Sequence, residues 1–308
     1  MAGRAHRTPF IQRRVAEVKG LVRETRNRGA RRATREVAAY LRPRVTADKW
    51  RWRRSHHVAP DAVPVYVVGV QRSGTSMLMR GLNASPAVEV LSEGDPVAFE
   101  RFRLRPDPQI RSLVEGSGQG WIVFKPLCDS HRIGALLDGL GTPSPGRAIW
   151  AYREVHGRVR SALAQFGPAN LRVLSEIARG EGLDRWQAQG LSPASTDLIR
   201  GLDWSAATPE TAAALFWYVR NSMYFELGLD ARSDTALSSY DHLVSEPAAA
   251  MRALCRFLGL PYERRLVAHI EPKPHSAPRS VEIDPAILRR CEELQRRLDA
   301  AYEAFAAG

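Results

Sequence analysis

The sequence predicts an α/β protein built on a parallel sheet flanked by helices, and three observations predict it. The run Val63 to Val70 (VPVYVVGV) is continuously apolar and β-branched, as a strand buried on both faces must be. A polar, Gly-containing turn follows, then Met77, Leu78 and Leu82 at helical spacing. The strand-then-helix order then repeats down the chain, which argues for parallel pairing through helical crossovers.

Taken in order, residues 1–57 carry 17 basic against 4 acidic residues, whereas the remainder carries 28 against 29. The formal net charge of +12 therefore belongs to a basic arm on a nearly neutral body and says little about the body's ligand. Within the arm, Ile11, Val15, Val18 and Val22 fall on one helical face, and Gly29 can end that helix. Ala33, Val37, Tyr40 and Leu41 predict a second helical stretch before Pro43, and Trp50 to Arg54 interleaves aromatic and basic residues. The arm reads either as a solvated helix docked on the body or as a basic amphipathic helix on an anionic membrane surface. It carries no recognised nucleic-acid motif, so nucleic acid is not the expected partner.

Further strands are expected at Trp121 to Phe124, Ala148 to Tyr152 and Thr235 to Tyr240, followed by helices at His131 to Leu140, Glu154 to Phe166 and Glu246 to Leu258. Pro168 to Gly228 reads as a helical insertion beside the sheet, with Leu215, Val219, Ser222 and Met223 on one face. There Trp217, Tyr218 and Tyr224 are expected to pack. Pro285 to Phe305 is a last helix. With 308 residues, 44% of them apolar and 25% charged, the chain can bury a sizeable core. That composition excludes a collagen-like, disulfide-stapled or wholly disordered protein. Cys128, Cys255 and Cys291 are far apart and form no CxxC pair, so reduced thiols are expected. His56 and His57 have no partner that suggests a metal. No apolar run approaches the roughly 18 residues of a membrane span, and no apolar signal core follows the basic N-terminus. The expected location is cytoplasmic, with peripheral membrane contact through the arm as the alternative.

The chemistry concentrates at Gly69 to Ser76 (GVQRSGTS), between a strand and a helix. Such a loop points backbone N–H groups and a helix N-terminus at one spot and can bind a phosphate; the plain alternative is an ordinary strand-to-helix turn. Gly69 and Gly74 have the spacing of the ATP-binding pattern G-x-x-x-x-G-K-[ST], but Thr75 stands where that pattern has Lys. ATP or GTP hydrolysis, which uses that Lys, is disfavoured. Arg72 supplies a cation inside the loop instead.

Val67 to Leu82 (VVGVQRSGTSMLMRGL) resembles the 5′-phosphosulfate loop of sulfotransferases that use 3′-phosphoadenosine 5′-phosphosulfate (PAPS). In those enzymes a strand leads into P-[KR]-[SA]-G-[ST]-[ST]; here Gln71 replaces the usual Pro. Ala148 to Leu163 (AIWAYREVHGRVRSAL) resembles the same family's 3′-phosphate segment, in which an Arg at a strand end is followed eight positions later by a Ser, as Arg153 is by Ser161. Arg at a strand end and Ser on the next helix can converge on one phosphate, with Arg as a forked donor. Ser239 to Pro261, with YDHLV and EPAAAMRALCRFLGLP, looks like the family's late strand and helix. The resemblance runs in order from Val63 to about Pro261.

It implies a P-loop-like sheet, a sulfotransferase domain at 58–308 after the basic arm at 1–57 that the charge count marks off, PAPS as co-substrate, a hydroxyl-bearing acceptor and no metal. By the same resemblance Gln71, Arg72, Ser73, Gly74, Thr75 and Ser76 would hold the 5′-phosphate, and Arg153 with Ser161 the 3′-phosphate. Tyr240 would touch the adenosine or simply pack in the core.

Sulfuryl transfer requires alignment of donor and acceptor, removal of the acceptor's proton and charge stabilisation on the leaving phosphate. Arg72 suits the last task. Lys125 ends the strand WIVFK at the sheet edge where open α/β folds bind ligands, and it is one of only four lysines; a solvated strand end is the alternative. The small-molecule sulfotransferases use a His two residues after that Lys, a position held here by Leu127. The tyrosylprotein and some glycan enzymes use a Glu well past the loop, and Glu93 lies 21 positions after Arg72. Glu93 is thus the candidate general base, or else a capping carboxylate beside Asp95 and Pro96. His131 is the reserve base. Lys273 or Arg279, in the Pro-rich stretch EPKPHSAPRS, can close over the donor. The competing readings are an atypical P-loop kinase, which Thr75 and the Arg153/Ser161 spacing oppose, and a non-catalytic basic protein binding a membrane surface or nucleic acid.

Overall fold

The structure is a computed structural model that describes residues 43–56, 62–142, 144–274 and 279–308. The helices expected within residues 1–42 lie outside the described residues. In chain order the elements are α1 (Pro43–Ser55), β1 (Val63–Gly69), α2 (Thr75–Asn83), β2 (Val88–Leu91), β3 (Phe99–Glu100), β4 (Arg103–Leu104), α3 (Asp107–Glu115), β5 (Trp121–Phe124), α4 (Ile133–Gly139), β6 (Arg147–Tyr152), α5 (Val155–Phe166), α6 (Ala169–Ala178), α7 (Pro193–Arg200), α8 (Pro209–Asn221), α9 (Met223–Glu226), β7 (Thr235–Ser239), α10 (Tyr240–Ser245), α11 (Pro247–Leu258) and α12 (Pro285–Ala307).

The main sheet has five parallel strands in the order β2-β5-β1-β6-β7. The apolar run of β1 is continuous because both sheet faces are covered. Tyr66 and Val68 enter one core cluster with α5, α6, α8 and α12, while Val65 and Val67 enter the other with α2 and α11. The chain leaves β1 for β2 on one side and later reaches β6 on the other. The carboxyl end of β1 is therefore the topological switch point at which open α/β sheets bind ligands.

Several boundaries differ from expectation. The stretch expected as a helix from His131 begins as a 3-10 turn, Leu127–Arg132, and only then becomes α4. Tyr240 does not end the late strand; it is the first residue of α10, because the Ser239 hydroxyl caps that helix by accepting from the His242 N–H. Glu154 likewise stays outside α5 as its N-cap and accepts from the N–H groups of His156 and Gly157. The segment Pro168 to Gly228 is helical, as α6 to α9, and α8 is buried on nearly every side.

The arm helix α1 lies after the stretches in which a helix was expected; it starts at Pro43, a residue suited to a first helical turn. It docks on the body. Lys49 Nζ donates to Asn83 Oδ1 at 2.6 Å, Arg53 donates twice to Gln119 Oε1, and Trp52 packs against the second core cluster. Trp50 stays exposed, with the Arg54 guanidinium over its ring. Among the described residues, no helix is long and apolar enough to cross a membrane.

Candidate functional site

Each of the five parallel strands delivers one sequence-predicted residue or loop to the same edge of the sheet. β2 leads to Glu93, β5 to Lys125, β1 to the loop before α2, β6 to Arg153 and β7 to Tyr240. Register aligns them, with Phe124 level with both Leu91 and Tyr66, and Tyr152 level with Ser239.

The loop after β1 is shaped by its glycines. Gly69 has φ 112° and pairs with Ala151 on β6, whose carbonyl oxygen lies where a Cβ would go. Gly74 has φ 81°, and a Cβ there would come within 2.6 Å of the Tyr240 ring. Only glycine meets both demands. Arg72 is left-handed too, at φ 72°, without being glycine; backbone strain of this kind tends to sit at functional loops. From below, the Ser130 hydroxyl accepts from the Gly69 N–H at 3.1 Å and itself donates to the Leu127 carbonyl. Thr75 and Ser76 open α2, so its first N–H groups face the loop.

At this edge Lys125 is buried, and its Nζ lies 3.4 Å from Glu93 Oε1 and 3.3 Å from Ser76 Oγ. Glu93 therefore faces the loop. The local capping role falls to Asp95, whose carboxylate accepts from the Val97 N–H. Lys125 is not a solvated strand end. Arg72 Nε donates to Ser161 Oγ at 3.0 Å, so Ser161 is joined to the loop cation, while the Arg153 guanidinium stacks 4.1 Å from the Tyr240 ring. Trp217, fully buried in α8, donates to the Arg153 carbonyl and fixes the turn out of β6. Tyr224 is buried against Trp150.

Two buried polar atoms at this edge, the Ser73 hydroxyl and Arg153 Nε, have no hydrogen-bond partner among the described residues. Buried polar groups are normally satisfied, so the two mark positions where a ligand's acceptor atoms fit. They fall on the two segments that resemble phosphate sites. Serine, threonine, arginine and backbone N–H donors suit phosphate oxygens.

His131, the reserve base, is half-buried in the turn after Lys125. Its Nδ1 is buried without a partner, and the backbone of Gly190 lies against its side chain. Burial first, and then the Arg220 charge, push its pKa down to about 4. Cys128 is nearby and its thiol is pushed up to about 12 by burial and by Glu93, so it is protonated at neutral pH. All three cysteines are free and buried. Among the described residues no group of three His, Cys, Asp or Glu is arranged to hold a metal ion. Of the Pro-rich stretch, Lys273 hydrogen-bonds through its backbone to Val244, and the Arg279 carbonyl accepts from Arg160; residues 275–278 lie outside the described residues.

Sequence reasoning missed the supports. Asp129 accepts from Arg103 Nε at 2.7 Å and from the Leu104 N–H, which ties the β3–β4 hairpin to the turn after Lys125. Arg158 and Arg220 are fully buried in α5 and α8. A signal for Arg158 was present, because it shares the apolar face of α5 with Val155, Val159 and Ala162, where a charged residue is out of place.

No family profile matches the chain, and no curated protein matches it. Among solved structures it is similar to the sulfotransferase domain of an olefin synthase from Synechococcus, at 16% identity and a TM-score of 0.43, over 80% of this chain and 95% of that one. It is similar to the sulfotransferase domain of the curacin biosynthetic pathway at 15% identity and 0.45, over 80% and 96%. To a sulfotransferase from Alicyclobacillus acidocaldarius the values are 17% and 0.41, over 81% and 97%.

Proposed function

We propose that the protein transfers a sulfuryl group from PAPS to a hydroxyl-bearing acceptor, with Glu93 as general base and no metal. The observation that carries this reading is the convergence of two phosphate-suited positions and a carboxylate on one sheet edge. Ser73 and Arg153 each present an unsatisfied buried donor, and Glu93 stands beside Lys125 at the loop.

In this reading Gln71 to Ser76 would hold the donor's 5′-phosphate and Arg153 with Ser161 its 3′-phosphate, with the adenosine beside Tyr240. PAPS, when bound, supplies an activated sulfuryl group. Glu93 takes the proton of the acceptor hydroxyl as its oxygen bonds to sulfur. The sulfur–oxygen bond to the 5′-phosphate breaks in line, and Arg72, Lys125 and the N-terminus of α2 stabilise the charge left on that phosphate. Ser161 holds the Arg72 side chain for this task.

A titration separates this from a kinase. In excess EDTA, adenosine 3′,5′-bisphosphate is expected to bind, whereas ATP with Mg²⁺ is expected to bind no better than ATP alone. Strict Mg²⁺ dependence of either ligand would contradict the reading.

A further inference from the structure

Arg158 is a buried cation with an unusual set of partners. It lies on the inner face of α5 with 1% exposure, and Nε donates to the Gln71 carbonyl at 3.3 Å. Nη1 donates to the Ala213 carbonyl of α8 at 2.8 Å, and the guanidinium sits 5.2 Å from the Phe216 ring centre. Among the described residues it has no carboxylate partner. Burial is the main cause that draws its pKa down, to about 9, and the neighbouring Arg72 adds to it, so the group is still charged at neutral pH. An isolated buried charge is strongly unfavourable unless something compensates it.

The compensation follows from peptide geometry. The carbonyl of Gln71 and the N–H of Arg72 belong to one planar trans peptide and point in opposite directions. A carbonyl held toward Arg158 in the core places the Arg72 N–H on the outer side of the loop. The left-handed conformation of Arg72 then curls the loop, as in backbone nests that bind anions. Were the peptide reversed, a carbonyl oxygen would face the phosphate and repel it.

We propose that Arg158 is a positioning residue for the phosphate loop: by gripping the Gln71 carbonyl and bracing it on α8, it fixes the Gln71–Arg72 peptide in the orientation that receives a 5′-phosphate. The identity of that phosphate rests on the sulfotransferase reading; the grip itself does not. The usual Pro of the loop is absent here, so position 71 lacks that ring's restraint on φ, and Arg158 supplies a restraint from outside.

The test measures binding of adenosine 5′-monophosphate, adenosine 3′-monophosphate and inorganic pyrophosphate to the full chain by calorimetry. Arg158→Met is expected to weaken the 5′-monophosphate and pyrophosphate by about tenfold or more, the scale of losing a charge-assisted hydrogen bond. The 3′-monophosphate, bound at Arg153, is expected to keep its affinity. Arg158→Lys keeps the charge and one donor and is expected to recover part of the loss; should the Met variant not fold, the Lys variant carries the test by the same 5′-against-3′ split. Equal weakening of both monophosphates, or no weakening, overturns the proposal. A wild-type chain that binds pyrophosphate but neither monophosphate overturns the sulfotransferase reading alone, and Arg158 is then judged on pyrophosphate. A wild-type chain that binds no phosphate-bearing probe overturns both.

Discussion

Lys125 joins Glu93 to the loop: its Nζ lies 3.4 Å from the carboxylate and 3.3 Å from the Ser76 hydroxyl. One buried ammonium thus ties the candidate base on one strand end to the first turn of α2. Its two contacts set how far the Glu93 carboxylate lies from the loop. Lys125→Met is expected to lower kcat by ~10²–10³-fold, the scale of removing one transition-state charge donor. Thermal melting should report a folded variant, and an unchanged kcat would remove Lys125 from the mechanism.

Arg153 is expected to act on affinity rather than on rate. Its guanidinium is remote from the transferred group in the proposed pose and is stacked on Tyr240. Arg153→Ala should weaken adenosine 3′,5′-bisphosphate by about 1.5–3 kcal/mol, the worth of a hydrogen bond to a charged group. Saturating turnover should change little, because uniform binding energy does not enter kcat. A collapsed kcat with an unaltered donor KM would contradict the assignment.

Gly74 tests the loop geometry. Alanine there must adopt φ near 81° and place its Cβ against the Tyr240 ring. The left-handed conformation alone costs ~1–2 kcal/mol. Gly74→Ala should therefore lower the melting temperature and weaken the 5′-phosphate together. Adding Tyr240→Ala should recover only the part due to collision, leaving the backbone strain. Full recovery in the double variant would mean that the left-handed conformation is not required.

How much of this was legible in the sequence depended on burial. β1 could be read residue by residue, because an eight-residue apolar, β-branched run is too short to span a membrane and fits a strand buried on both faces. The β3–β4 hairpin could not, since two residues per strand carry no periodicity. β2 is no shorter than β5, but Glu89 interrupts its apolar run, whereas WIVF in β5 is continuous. The site residues were visible as types at strand ends, yet their pairing was not. Arg153 and Ser161 have the spacing to converge on one phosphate, but that spacing does not show the bond from Arg72 to Ser161 or the stacking of Arg153 on Tyr240. Glu93 stood out through a family resemblance, and its contact with Lys125, which turns it toward the loop, was not legible. Arg158 was overlooked because an arginine in a helix ordinarily reads as solvent-facing, whereas this one turns inward to two backbone carbonyls.

His131 predicts how stability responds to acid. Its pKa lies near 4 in the fold against 6.5 ordinarily, so the unfolded chain binds more protons between those values. Stability from this group is complete above pH 6.5 and is lost as the pH falls toward 4. His131→Asn, which cannot titrate, should flatten that part of the dependence of melting temperature on pH. An identical slope in wild type and variant would show that other groups, such as His269, whose pKa burial also lowers, govern the acid limb.

The proposed chemistry is tested most directly by Glu93→Gln, assayed with labelled PAPS against two acceptors, an aliphatic alcohol and a nitrophenol. Glutamine keeps the shape of the side chain but cannot take a proton. Binding of adenosine 3′,5′-bisphosphate is expected to survive, while transfer to the alcohol falls by roughly 10²–10⁴-fold, the usual worth of general base catalysis. Transfer to the nitrophenol, which arrives largely ionised, is expected to fall much less. Full activity toward the alcohol in the variant, or the absence of any sulfuryl transfer by the wild-type chain to either acceptor, would contradict the account.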